Sequence, residues 1–133
     1  MPDNIAKSEN VSNARSKGNK YEELAAIKLK QNGYEILKRN YYSRYGEIDI
    51  IGRDADTLFF AEVKYRKNLK YGAPSEAVDE RKQHKIIKTA EEFIYKNEDN
   101  ILKLFNEFPK IRFDIVEILD NKIRIIKNAF YKN

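Results

Sequence analysis

Apolar positions along the chain recur first at helical and then at strand spacing. From Asn13 to Gln31, Gly18, Tyr21, Leu24, Ala25 and Leu29 form one stripe at roughly 100° per residue, which predicts a helix facing a sheet and ending at Asn32-Gly33. Glu22 falls at the edge of that stripe, where it can reach either a site at the sheet margin or a partner on the surface, whereas Glu23 points well away. Tyr34 to Tyr42 reads as a strand, joined through Ser43-Arg44-Tyr45-Gly46 to the run Gly46-Glu47-Ile48-Asp49-Ile50-Ile51. The turn Asp54-Ala55-Asp56 leads to a third strand ending at Arg66. Alternation with a period of two puts Glu47, Asp49 and Ile51 on one face of the second strand, with Ile48 and Ile50 on the other. In the third, Phe60, Glu62, Lys64 and Arg66 face opposite to Phe59, Ala61, Val63 and Tyr65.

The chain breaks at Tyr71-Gly72-Ala73-Pro74, and Ser75 is the expected N-cap of a second helix reaching Lys96. Gln83, Ile86, Ile87, Ala90 and Ile94 share a face of that helix with Phe93 alongside, while His84, the only histidine, points to solvent and is poorly placed to act as a base. Asn97 to Pro109 reads as a connection with room for a helical turn at Ile101 to Phe105. Ile111 to Leu119 and Ile123 to Ile126 alternate as strands around the turn Asp120-Asn121. The order α-β-β-β-α-β-β implies an α/β fold, a mixed sheet flanked by helices, and the crossover admits a parallel neighbour for the third strand. Residues 1–12 are polar and aperiodic, the pattern of a flexible leader, and 13–133 are expected as a single domain.

Composition narrows the class. Hydrophobic residues make up 41% of the 133, enough for one core, and charged residues 35%. Cysteine is absent, which excludes disulfides and thiolate metal sites and fits a reducing compartment. No apolar run approaches the roughly 20 residues of a membrane helix, and Met1 to Asn19 lacks the apolar core of a secretory signal. A cytoplasmic protein with no membrane partner is expected. The formal net charge of +5 is spread unevenly. Lys38, Arg39 and Arg44 are interleaved with Tyr41, Tyr42 and Tyr45; Lys64, Arg66, Lys67 and Lys70 with Tyr65 and Tyr71; and the tail carries Lys122, Arg124, Lys127 and Lys132. A solvated surface accounts for any one of these runs, but three around one acidic patch favour a phosphate backbone with stackable bases.

Charges inside apolar strands need a reason, because an unpaired buried charge costs on the order of several kcal/mol. An aspartate on one strand and Glu-x-Lys thirteen residues later on the next suit metal-assisted phosphodiester cleavage. Asp49 and Glu62 offer hard oxygens to Mg²⁺ or Mn²⁺, a main-chain carbonyl from Val63 can complete the protein share, and Glu47 is a candidate outer ligand or second-metal ligand. Lys64, on the face of Glu62, can orient water or offset charge on the phosphate. The competing reading is a set of cross-strand ion pairs on a solvated face. Arg44, Arg66 and Lys67 from the basic runs, with Gln83 near the start of the second helix, are candidate substrate contacts.

The run Gly46 to Ile51, followed by Phe60-Ala61-Glu62-Val63-Lys64-Tyr65-Arg66, resembles the signature of the YraN-type bacterial family, placed in the restriction-endonuclease-like, or PD-(D/E)xK, superfamily. The similarity runs from about Asn13 to Phe130 and includes Gly18 to Ala26, Gly33 to Leu37, Lys82-Gln83 and Arg112 to Val116. Tyr65 stands where that family usually has threonine, and Ala61 where valine is common. The resemblance implies a mixed-sheet nuclease fold akin to archaeal Holliday-junction resolvases. It carries a helix glutamate onto Glu22 beside Asp49, Glu62 and Lys64, and it matches Asp114 as a structural or positioning residue. The expected activity is a metal-dependent, structure-selective DNA endonuclease in repair or recombination. The alternatives are a non-catalytic nucleic-acid-binding module of a repair, recombination or uptake complex and a general protein-interaction domain. Symmetric cleavage of a junction demands two sites, which admits a homodimer.

Overall fold

The computed structural model of the chain describes residues 12–67, 78–120 and 122–130, with side chains from residue 20 onward. The leader expected over 1–12 lies outside these residues except for Ser12, and so do the break at Tyr71 to Pro74 and the expected cap Ser75.

Helix α1 (Ser12–Gln31) begins one residue earlier than its apolar stripe predicts. It ends where Gly33 takes a φ of 88°, and the N–H groups of Gly33 and Tyr34 return to the carbonyls of Lys30 and Leu29 at 2.9 and 3.0 Å. That pair of bonds satisfies carbonyls the helix can no longer serve and turns the chain into the sheet. Strands β1 (Glu35–Ser43), β2 (Gly46–Asp54) and β3 (Thr57–Arg66) follow as antiparallel neighbours. Helix α2 (Glu80–Lys96) is capped by Asp79, whose side chain accepts from the Lys82 N–H, so its start lies five residues beyond Ser75. A helix α3 (Glu98–Phe105) occupies most of the expected connection. Its single stripe, Ile101 and Phe105, is too short to separate from a turn by periodicity, and Asn106 ends it in the left-handed region. Strands β4 (Lys110–Leu119) and β5 (Lys122–Phe130) complete a sheet in the order β1-β2-β3-β4-β5. The β3–β4 pair is the parallel one, and the crossover passes through α2 and α3. No described helix is long and apolar enough to cross a membrane.

The sheet separates two apolar layers. On one face Ala25, Ala26 and Leu29 of α1 meet Tyr34, Ile50, Phe59, Ala61 and Val116. The alanines let the helix backbone approach the sheet closely. On the other face Ile86, Ala90, Phe93, Ile101 and Phe105 cover Ile48, Ile51, Leu58, Phe60, Phe113 and Ile115. This corrects the alternation expected for β2. Ile48 packs with Ile51 against α2, while Ile50 packs against α1. The strand departs from a strict period of two around Asp49, where the facing β1 residue Asn40, between the pairs Arg39–Ile50 and Tyr41–Ile48, has a φ of 56°.

Two acidic side chains of β4 are wholly buried, and both are clamped by arginine. Asp114 accepts from the Arg112 guanidinium at 2.9 to 3.1 Å and from the Asn128 N–H at 2.9 Å. Glu117 accepts from Arg66 at 3.0 Å and from Arg124 at 2.9 and 2.7 Å. Fork-like charged hydrogen bonds of this kind offset the loss of hydration.

Gly52 lies between Ile36 of β1 and Phe59 of β3, and the Phe59 ring lies over it. A Cβ there would run into that ring and sit 2.7 Å from the Glu35 carbonyl oxygen, which is held in the sheet. Gly52→Ala is expected to cost about 1–3 kcal/mol, the range for overpacking, seen as a lower thermal midpoint and a lower urea midpoint at unchanged slope.

Candidate metal centre

The site begins where a ladder stops. Pairing between β2 and β3 ends at Ile50–Ala61, yet β3 continues beside β4 as far as Arg66–Leu119. β2 therefore parts from β3 just before the acidic residues, and the Val63 N–H is taken by the Asp49 side chain, whose Oδ2 accepts it at 2.8 Å. This bond fixes the carboxylate against β3. α1, crossing the same face, brings Glu22 to the gap.

Glu22, Glu47 and Asp49 each offer an oxygen within 4.8 Å of the others. Glu62 is buried and opens, with Tyr21, Glu22, Asp49, Val63 and Tyr65, onto one cavity of about 240 Å³. Burial, then the charge of Glu62, push the Asp49 carboxyl up to about 8, against the pull of the Val63 N–H; Glu22 and Glu47 add to the rise. The Glu22 carboxyl is also raised, chiefly by burial. Its Oε1 is buried without a hydrogen bond, and the nearest Arg39 nitrogen, at 3.8 Å, is too far to supply one. Among the described residues no cation pairs with Asp49. Partly buried carboxylates gathered this closely, one with a buried oxygen that lacks a hydrogen bond, fit a hard divalent cation such as Mg²⁺ or Mn²⁺, which takes oxygen ligands and keeps waters of its own.

The remaining candidates are placed unequally. Glu62 lies outside the three-carboxylate group, and its Oε2 is 3.3 Å from Lys82 Nζ. Lys64 is half-buried, stands beside Glu117 in the β3–β4 register and does not line the cavity. Of the expected residues, Glu22, Glu47 and Asp49 gather most closely, Glu62 lines the same cavity, and Lys64 remains at its margin. Arg66 is drawn inward onto Glu117, because a buried carboxylate there needs a counter-charge. Gln83 spends its amide N–H on the Val78 carbonyl at 2.7 Å, an N-terminal contact of α2. Arg44 is exposed in the β1–β2 turn, its guanidinium 2.9 Å from the Tyr45 hydroxyl, and Lys67 is exposed just beyond β3. Lys82 is the site residue that strand reasoning passes over. A signal was present, since it lies four residues before Ile86 and so on the sheet-facing side of α2.

An acid whose pKa is raised on folding keeps its proton in the folded state. Its contribution to stability is full below the ordinary value of 3.8 and is lost as pH rises through about 8. A bound cation must displace that proton, so Mn²⁺ affinity is expected to rise by up to about tenfold per pH unit towards pH 8 and to level above it. Titration calorimetry at several pH values, in buffers of differing ionisation heat, reads both the affinity and the protons released; an affinity flat across this range would separate Asp49 from the cation.

Sequence comparison bears on the same residues. A family model described as "Uncharacterised protein family UPF0102" matches residues 21–118, a span that includes Glu22, Glu47, Asp49, Glu62 and Lys82. A UPF0102 protein of Clostridium tetani is 48% identical over 119 residues, covering 85% of this chain and 92% of its own length. One from Persephonella marina is 42% identical over 114 residues, covering 86% and 92%. One from Caldicellulosiruptor saccharolyticus is 41% identical over 124 residues, covering 89% and 99%. On both measures, the chain belongs to the UPF0102 family.

Proposed function

We propose that this chain is a metal-dependent endonuclease that hydrolyses phosphodiester bonds in DNA, selective for branched or single-stranded structure, on a restriction-endonuclease-like fold akin to that of archaeal Holliday-junction resolvases. The observation that carries the reading is the gathering of Glu22, Glu47 and Asp49 oxygens within 4.8 Å where β2 leaves β3. Buried acids elsewhere in the sheet are gripped by arginine hydrogen bonds; of these three only Glu22 has an arginine near among the described residues, and Arg39 stays at 3.8 Å without bonding it.

Asp49, Glu22 and Glu47 would hold Mg²⁺ or Mn²⁺, with Glu62 and the Val63 main chain at the wall of the same cavity. When bound, the ion supplies Lewis acidity at a phosphate oxygen and lowers the pKa of a coordinated water. The chain's own residues do the rest. The Val63 N–H holds Asp49 in one orientation, so the ligand set needs little reorganisation. Lys82 holds Glu62 by its charge and limits the repulsion that Glu62 exerts on Asp49. Lys64, from the margin, offsets charge on the phosphate, while Arg44 and Lys67, both exposed, meet the backbone on either side. A cytoplasmic setting and a role in repair or recombination follow from this activity, and a homodimer would supply the two sites that symmetric junction cleavage requires. A non-catalytic binding module is favoured by one contact, the Lys82–Glu62 pair, which already gives one acid a counter-charge.

Labelled duplex, flap, fork and four-way DNA incubated with Mg²⁺ or Mn²⁺ discriminate the two. The nuclease reading expects cleavage of at least one branched or single-stranded substrate, with Asp49→Asn and Glu62→Gln lowering the rate on the order of a hundredfold or more and Lys64→Ala lowering it steeply. DNA binding with no cleavage in either metal would leave the binding module.

A further inference from the structure

We infer that the stacked pair Tyr21–Tyr65 is a seat for one unpaired nucleobase beside the acidic cluster, so that the substrate class is nucleic acid with an unstacked nucleotide next to the bond cut. The inference rests on the nuclease reading and names the feature its site would select.

Tyr21 precedes Glu22 on α1, and Tyr65 follows Glu62 by three residues on β3. Their rings lie 4.4 Å apart and within 8° of parallel, bridging helix and sheet at the wall of the cavity that Glu22, Asp49 and Glu62 line. Tyrosines that served only to fasten α1 to the sheet would be expected to hide both rings. Tyr65 instead remains 38% exposed, although it stands on the strand beside a cavity. A ring with one face supported by a second ring and part of its surface in water offers a place for a flat aromatic ligand.

The surroundings say which kind of ligand. Lys67, exposed, lies two residues beyond Tyr65, and Lys20, exposed, precedes Tyr21, whereas Lys64 alternates to the opposite face of β3. A chain of phosphates would therefore meet cations on both sides of the stack, the pairing of charge and aromatic surface that single-stranded nucleic acid uses. A base inside a duplex has both faces covered by its neighbours and offers nothing to the tyrosines. An unpaired base at a flap, fork or single strand has a free face, and seating it would bring its own phosphate towards Glu22 and Asp49.

The test measures equilibrium binding of full-length protein, with Ca²⁺ replacing Mg²⁺, to three DNA probes: a single strand carrying 2-aminopurine, a flap with 2-aminopurine at its unpaired nucleotide, and a blunt duplex. Wild type is expected to quench 2-aminopurine in the first two. Tyr65→Ala should abolish the quenching and weaken binding of those probes roughly tenfold to a hundredfold more than that of the duplex, the range for loss of one base stack. Tyr65→Phe should restore both. Circular dichroism melts monitor folding, and Tyr65→Leu, apolar but unable to stack, replaces the alanine variant if that one unfolds. Equal weakening of all three probes, or unaltered quenching, overturns the inference while leaving the nuclease reading standing. If wild type binds none of the probes, both fall.

Discussion

The end of pairing between β2 and β3 at Ile50–Ala61, just short of Asp49 and Glu62, governs the geometry of the acidic site. A ladder continued by two more residues would have used the Val63 N–H for main-chain pairing and left no gap for α1 to fill. Because the strands part, Asp49 takes that N–H instead, and the β2 acids and the α1 glutamate meet beside a cavity of about 240 Å³. Burial first, then the charges of Glu62, Glu22 and Glu47, raise the Asp49 pKa, and the one fixed donor only partly opposes this.

The sheet also carries its own comparison. Asp114 and Glu117 are as fully buried as any acid among the described residues, and each is gripped by arginine: Arg112 for the first, Arg66 and Arg124 for the second. Those two clusters tie β4 to its neighbours and leave no ligand oxygen wanting a partner. At the gap the counter-charges are looser: Arg39 is 3.8 Å from Glu22 and hydrogen-bonds Glu23 instead, and Lys82 pairs with Glu62 at 3.3 Å. One chain thus clamps buried acids with arginine forks in two places, while in a third only single, longer ion pairs reach Glu22 and Glu62 and, among the described residues, none reaches Asp49. That contrast is the strongest physical argument for a cation at the third.

Around the gap, the fold acts mainly to hold distances. Ala25 and Ala26 allow α1 to sit low on the sheet, which brings Glu22 and Tyr21 within reach of β3. Gly52 lets Phe59 close over β2 three residues beyond Asp49, and the α2 cap at Asp79 sets the turn from which Lys82 extends. These residues are unremarkable as chemistry. They matter because a ligand set misplaced by an ångström loses much of its grip on substrate and ion.

Much of this was legible along the chain. Alternation and helical stripes located every strand and both long helices, since those patterns arise from burial on one side of a repeating backbone. The parallel step also followed from a helix lying between two strands. Family resemblance, rather than spacing, singled out Glu22. The chain alone did not reveal the short α3, whose two buried residues make too brief a pattern, nor the kink that sends Ile48 and Ile50 to opposite layers. Nor did it show that Arg66 would turn inward to Glu117, that Lys82 would reach Glu62, or that Tyr21 would stack on Tyr65. The physical division is plain. Local periodicity records which side of an element is buried, while contacts between residues far apart in sequence depend on where strands separate and how closely helices approach, and only the packed molecule decides those.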